Sequence, residues 1–167
     1  PAGLTIPPRK ESAGILLLHP HIKPQASPNK RWPFEKWRVL SSLLLQEGFR
    51  VGQLVFGSIP RLPGVAHLYS PTWRDAAGLI AGCKGIVCQE GFCHHAAAAF
   101  GTKAVVLYGH YISPRVTGYP GQSNIVFEHP DSDFLGCGYK LRCDKCQRFW
   151  DTLDPATVAD QALATLD

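Results

Sequence analysis

A doubly wound, parallel α/β domain is the fold this sequence predicts, and three observations carry that prediction. Short apolar runs alternate with helical patterns along the chain, as expected when parallel strands are joined by crossover helices. One stretch shows the unit complete: Gly85-Ile86-Val87-Cys88, a turn containing Gly91, the small-residue run Ala96 to Ala99, then Ala104 to Gly109. It reads as strand, turn, helix and strand. Finally, 167 residues suffice for one domain with a substantial core.

The elements follow in order. Residues 1–13, proline-containing and of mixed charge, read as a linker, and residues 14–167 as a single Rossmann-like domain. Gly14 to His19 is a buried strand, and Pro20 to Pro33 is a long loop. Phe34 to Gln46 is an amphipathic helix with Phe34, Trp37, Leu40 and Leu44 on one face, opened by Pro33 and closed by Gly48. Arg50 to Phe56 is the second strand, ending at Gly57-Ser58, and Val65 to Tyr69 is a weaker third. Thr72-Trp73-Arg74-Asp75 has capping-box spacing and starts a helix through Ala81, with Trp73, Ala76, Ala77 and Ile80 directed inward. After the strand–helix–strand unit comes a short strand, Asn124 to Phe127. Asp154-Pro155 caps a last helix that buries Val158, Ala162 and Leu166.

Composition narrows the function classes. With 45% hydrophobic and 18% charged residues the chain reads as a soluble globular domain. Seventeen Lys and Arg against 13 Asp and Glu give a charge of +4, which favours anionic ligands but lacks the clustered basic face of a nucleic-acid binder. No apolar run approaches the roughly 18 residues of a membrane span, and no charged-then-apolar start resembles a signal peptide. Among six cysteines, Cys83 and Cys88 sit in or beside apolar elements, so reduced thiols in a cytoplasmic setting are expected.

In open α/β sheets, ligands bind beyond the carboxyl ends of the strands, where helix N-termini present N–H groups to anions. Ser27, Lys30, Gly57, Ser58, Glu90, Gly91, His94, His95, Gly109 and Arg115 all fall at that edge and form the candidate ligand-binding set. Lys30 and Arg31 suit phosphate, as a point charge and a bidentate fork. Trp32 reads as core. A histidine in the first turn of a helix feels its positive end and is biased toward neutral, yet can still donate one hydrogen bond. Glu90 would repel a phosphate and suits a hydrogen-bond donor instead. His110 and Arg115, on the loop after the next strand, are weaker candidates.

Lys30-Arg31-Trp32-Pro33 leading into an amphipathic helix, followed by Glu90-Gly91-Phe92-Cys93-His94-His95 before a valine-rich strand, resembles glycosyltransferase family 9, the heptosyltransferases of lipopolysaccharide synthesis. The resemblance runs from about Gly14 to near the end and is to the C-terminal, nucleotide-sugar-binding half of these two-domain GT-B enzymes. Aligned without gaps, Glu90 stands where the family has Asp and Gly91 where it has Ser or Thr. Phe92 then replaces a Gly, and His95 matches the family His, with His94 extra. The resemblance implies that this turn and Lys30 hold the diphosphate and sugar of an ADP-heptose-like donor. It further implies inverting transfer with no metal at the reacting centre, in cell-envelope polysaccharide synthesis at the inner face of the membrane. The acceptor and the catalytic base belong to an N-terminal domain supplied in cis or in trans, so no catalytic residue is assigned to this chain and it is expected to be inactive alone.

Cys137, Cys143 and Cys146 have metal-like spacing, and tetrahedral zinc or iron requires a fourth ligand. His129, Asp144 or a water could supply it; free thiols and a disulfide are the alternatives. Relatives in the resembled family often carry cysteines in this loop (residues 137–146), some of them binding metal. Two other functional classes remain open. One is a non-catalytic sugar-nucleotide- or metal-binding module, and the other a cysteine-dependent hydrolase in which Cys93, at a helix N-terminus, pairs with His94.

Overall fold

The computed structural model describes residues 5–23, 25–127 and 134–166. Six strands, β1 (Ile15–His19), β2 (Arg50–Val55), β3 (Ala66–Tyr69), β4 (Gly85–Gln89), β5 (Ala104–Gly109) and β6 (Ser123–Val126), form one sheet in the order β3-β2-β1-β4-β5-β6. Every pairing is parallel, as the alternation of elements predicts. Six helices accompany it: α1 (Phe34–Gln46), α2 (Trp73–Gly82), α3 (Phe92–Phe100), α4 (Pro114–Thr117), α5 (Asp144–Thr152) and α6 (Pro155–Leu166).

Successive residues of a strand point to opposite faces, so β1 feeds two cores. Leu16 and Leu18 pack with Trp37, Leu40 and Leu44 of α1, Trp150 of α5, and Val158, Ala162 and Leu166 of α6. Ile15 and Leu17 pack with Leu54, with Ala76, Leu79 and Ile80 of α2, and with Ala96 and Ala97 of α3. The alanines of α3 let that helix lie close to the sheet. Leu16, Leu17 and Leu18 are fully buried, each worth about 1.5–3 kcal/mol.

Local capping sets the helix starts. The Thr72 hydroxyl accepts from Asp75 N–H (3.1 Å), and the Asp75 carboxylate accepts from Thr72 N–H (3.2 Å), closing the capping box at α2. Asp154 accepts from Ala156 N–H (2.9 Å) at the start of α6. Residues 5–13 lie against α2: Arg9 N–H donates to the Gly78 carbonyl (2.9 Å) and the Arg9 guanidinium pairs with Asp75.

Three features depart from the sequence reading. Trp73 does not point into the core; it is 51% exposed, because the first residue of α2 lies beyond the sheet edge and meets Phe56 and Phe92 instead. Helix α5 occupies residues expected to be the end of a cysteine-rich loop. The short helix α4 lies inside what reads as a plain loop.

Candidate functional site

The strand order reverses direction between β1 and β4, and in such sheets the crevice beyond their carboxyl ends is the ligand site. A cavity of about 400 Å3 opens there, between His19 at the end of β1 and Gln89, Glu90 and Gly91 at the end of β4. One wall is aromatic: Trp73 lies 4.5 Å from Phe92 and 5.4 Å from Phe56, centroid to centroid. Another is charged: the Lys30 ammonium pairs with the Glu90 carboxylate and sits 5.0 Å from the Tyr111 ring centroid. Lys23 lies 5.1 Å from the Trp73 ring. The His19 side chain also lines the cavity; burial pushes its pKa down to about 3 and holds the ring neutral.

Local sequence positions these groups. Pro28–Lys30 forms a 3-10 turn whose first N–H, that of Asn29, is capped by the Ser27 hydroxyl (3.2 Å). Gln89 accepts from Trp32 N–H through its side-chain oxygen (2.5 Å), tying the loop before α1 to the end of β4. Trp32 itself is 2% exposed and belongs to the core. Gly91 has φ 154° and ψ −157°, a region closed to residues with a side chain, and so turns β4 into α3.

That glycine fixes the register of the turn. Gly91 N–H donates to His94 Nδ1 (2.9 Å), so Nε2 carries the proton and donates to the Thr117 carbonyl (2.9 Å). The bonded pair in this turn is thus Gly91 and His94. Burial lowers the His94 pKa, consistent with a neutral ring. His94 is thereby an internal brace, both of its nitrogens being engaged within the chain. His95 is the exposed member of the pair, with Nδ1 2.9 Å from the Tyr119 hydroxyl. The ligand atoms of Glu90, His94 and His95 lie within 4.8 Å of one another, but the commitments of His94 and of Glu90 to Lys30 leave no metal-ligating set there.

Of the sequence candidates, Lys30, Glu90 and Gly91 line the cavity. Ser27, Gly57, Ser58, His94, His95, Gly109 and Arg115 do not. Ser27 is buried and serves its turn, donating as well to the Tyr139 carbonyl (2.9 Å). Gly109 has φ 62°, and a Cβ there would meet the Trp150 ring at 2.4 Å, so this glycine admits the tryptophan. Arg115 is exposed on α4. Sequence reasoning passed over Phe56 and Trp73 as lining of this cavity, and met Phe92 only as a departure from the family pattern. All three stand at the edge where strands end and helices begin, and that placement was the available signal. The hydrolase reading fails on geometry. Cys93 is 2% exposed, burial pushes its thiol well above the ordinary range, and His94 is committed elsewhere.

The cysteine segment folds back over the end of β5. Cys137 Sγ lies 3.3 Å from Cys146 Sγ, which lies 3.7 Å from His110 Nδ1. With Cys143 Sγ, these ligand atoms all fall within 4.8 Å of one another. A tetrahedral ion with bonds of about 2.0–2.3 Å needs ligands about 3.5–3.8 Å apart, so this donor set suits zinc or iron. His110 could supply the fourth position; His129, named from sequence, lies outside the described residues. The backbone N–H of Cys146 draws the Cys143 thiol below its ordinary pKa, whereas burial pushes that of Cys146 up.

Compared by sequence, the chain matches no protein-family model and no curated protein. Compared by structure, it resembles ADP-heptose LPS heptosyltransferase II of E. coli, with a TM-score of 0.66 and 24% identity over 93% of this chain and 47% of that one. It also resembles a family 9 glycosyl transferase of Veillonella parvula, with a TM-score of 0.66 and 16% identity over 98% and 48% of the two chains. A third likeness is to the iron-containing dodecameric heptosyltransferase TibC of enterotoxigenic E. coli in complex with ADP-D-β-D-heptose. Its TM-score is 0.66, at 14% identity over 95% of this chain and 47% of that one. The chain thus has the α/β fold of family 9 heptosyltransferases and spans about half the length of the structures it matches. Among the described residues, no helix is long and apolar enough to cross a membrane.

Proposed function

We propose that this chain is the nucleotide-sugar-binding half of a heptosyltransferase-like glycosyltransferase. The observation that carries the reading is the cavity at the β1/β4 switch point, which joins an aromatic wall to a cation beside a helix N-terminus. Trp73, Phe92 and Phe56 offer flat faces for a nucleobase. Lys30 and the first turn of α3 offer positive charge and backbone N–H groups for the diphosphate. Glu90, released from Lys30 when phosphate arrives, accepts hydrogen bonds from the sugar. In sugar transfer the leaving diphosphate accumulates charge, and a fixed ammonium and helix terminus stabilise it electrostatically. The acceptor and the general base would come from a second domain, in cis or in trans, with inversion at the sugar carbon. His110, Cys137, Cys143 and Cys146 would hold a structural zinc or iron.

Calorimetry with ADP, UDP and GDP tests the reading. Binding in the high micromolar range or weaker, lost by about ten- to 150-fold in Lys30→Ala, is expected from removal of a charge-assisted hydrogen bond worth about 1.5–3 kcal/mol. No heat with any nucleotide at millimolar concentration, or unchanged affinity in Lys30→Ala, would refute it.

A further inference from the structure

The metal cluster and the phosphate site are not separate. Between them lies Asn29, fully buried and one residue before Lys30. Its amide nitrogen donates to the carbonyls of Tyr139 (2.8 Å) and Leu141 (2.6 Å), and its oxygen accepts from Cys143 N–H (2.8 Å). Its own carbonyl accepts from the Trp150 indole N–H (2.7 Å). Asn29 thus sits in the backbone of the phosphate turn and grips the cysteine segment with both ends of its side chain.

That segment is held at its start by backbone bonds, Cys137 N–H donating to the His110 carbonyl (3.0 Å) and Gly138 N–H to the Tyr111 carbonyl (3.1 Å). Residues 134–143 form no helix or strand, and the side chains of Leu135, Tyr139 and Leu141 face outward at 53%, 66% and 82% exposure. Beyond Gly138, the described ties of residues 139–142 are the bonds to the turn, from Asn29 and from Ser27, followed by the Cys143 thiol in the group around His110. An ion in the cluster would fix the carbonyls that Asn29 needs, and metal binding of this kind is folding free energy for the segment that carries the ligands. Without the ion, the Asn29 amide would lose fixed partners, and the buried turn that aims Lys30 into the cavity would lose its outer wall.

We propose that Asn29 is a positioning residue that couples metal in the His110–Cys137–Cys143–Cys146 cluster to Lys30, so that metal occupancy sets affinity for a nucleoside diphosphate. This rests on the metal and donor readings above and adds the link between them. Coupling free energy is reciprocal, so the nucleotide must tighten the metal by the factor by which the metal tightens the nucleotide.

The test uses the full chain, zinc at one equivalent, and ADP. In the wild type, stripping zinc with a chelator is expected to weaken ADP by about tenfold, within the usual range of such couplings. Saturating ADP should tighten zinc by the same factor in a competition titration with a chromophoric chelator. Asn29→Ala, and Asn29→Asp, which keeps the volume and the acceptor for Cys143 N–H, should retain one zinc per chain by elemental analysis. Both should bind ADP at the stripped level whether or not zinc is present. A zinc-loaded Asn29 variant with full ADP affinity and full coupling overturns the proposal, as does a wild type whose ADP affinity ignores zinc while Lys30→Ala abolishes it. A wild type that takes up no zinc overturns it through the metal reading, and one in which Lys30→Ala has no effect overturns it through the donor reading. Should both variants fail to fold, the reciprocal measurement on the wild type decides.

Discussion

Glu90→Gln is the perturbation that separates a competing carboxylate from a cooperating one. Glu90 is 8% exposed and holds the Lys30 ammonium, whose side chain is 21% exposed. A diphosphate taking over Lys30 leaves the carboxylate beside a second anion. Two unit charges about 8 Å apart in an effective dielectric of about 20–40 repel by about 1–2 kcal/mol. Glutamine keeps the shape and removes that repulsion, so ADP should bind about five- to 30-fold more tightly. The sugar should respond in the opposite sense. A carboxylate accepts charge-assisted hydrogen bonds roughly twice as strong as an amide oxygen does, so the preference for ADP-heptose over ADP should fall. Calorimetry with both ligands, at low ionic strength and again at about 0.15 M where screening reduces the gain, reads both effects. Weaker or unchanged ADP binding in a folded Glu90→Gln protein would refute the argument. It would mean that the carboxylate orients Lys30 for phosphate rather than competing with it.

Two further outcomes follow from the cavity. Trp73→Ala should weaken ADP by about 1–3 kcal/mol, the usual worth of a base stacked on an aromatic face, while moving the thermal midpoint little because the ring is half exposed; calorimetry and a melting curve check the two halves. His19, whose folded pKa is lowered to about 3, takes up a proton below about 6.5 only when unfolded, so stability is full above that pH and is lost as pH falls through 6.5 toward 3. Urea unfolding should show a loss on the order of 1–2 kcal/mol between pH 7.5 and 5, and His19→Gln should flatten that slope.

What was legible in the sequence was what is local. Alternating apolar runs, the Thr72–Asp75 capping box and the Asp154-Pro155 helix start each depend on neighbours a few residues away, and the structure holds them with the expected bonds. The alternation also gave the parallel sheet and hence the common edge of the strand-to-helix loops, whereas the order that places β1 beside β4, and brings Lys30 to Glu90, is seen only in the structure. Trp73 was misplaced because helical periodicity says which way a side chain leaves the helix, not whether the sheet still extends beneath it. Helix α5 was obscured because Cys143 and Cys146 read first as ligands, although Cys146 and Trp150 are buried on one side of that helix.

The harder misses share one physical cause. Asn29 meets Tyr139 and Leu141 across 110 and 112 positions of sequence, and His110 meets Cys146 across 36. No periodicity carries such pairs; they arise only once the segment after β6 returns over the carboxyl edge of β5. Topology then makes the connection nearly obligatory. In a parallel sheet every loop that follows a strand emerges at the same edge, so the turn before α1 and the loop after β5 must be neighbours of the cavity. Any segment that crosses this edge to reach α5 passes over both. A cluster of soft ligands in that crossing segment is thereby set against the loop that carries Lys30. An asparagine with two donors and an acceptor is the side chain suited to hold extended backbone there, since it can bind a carbonyl and an N–H of the same strand of chain at once.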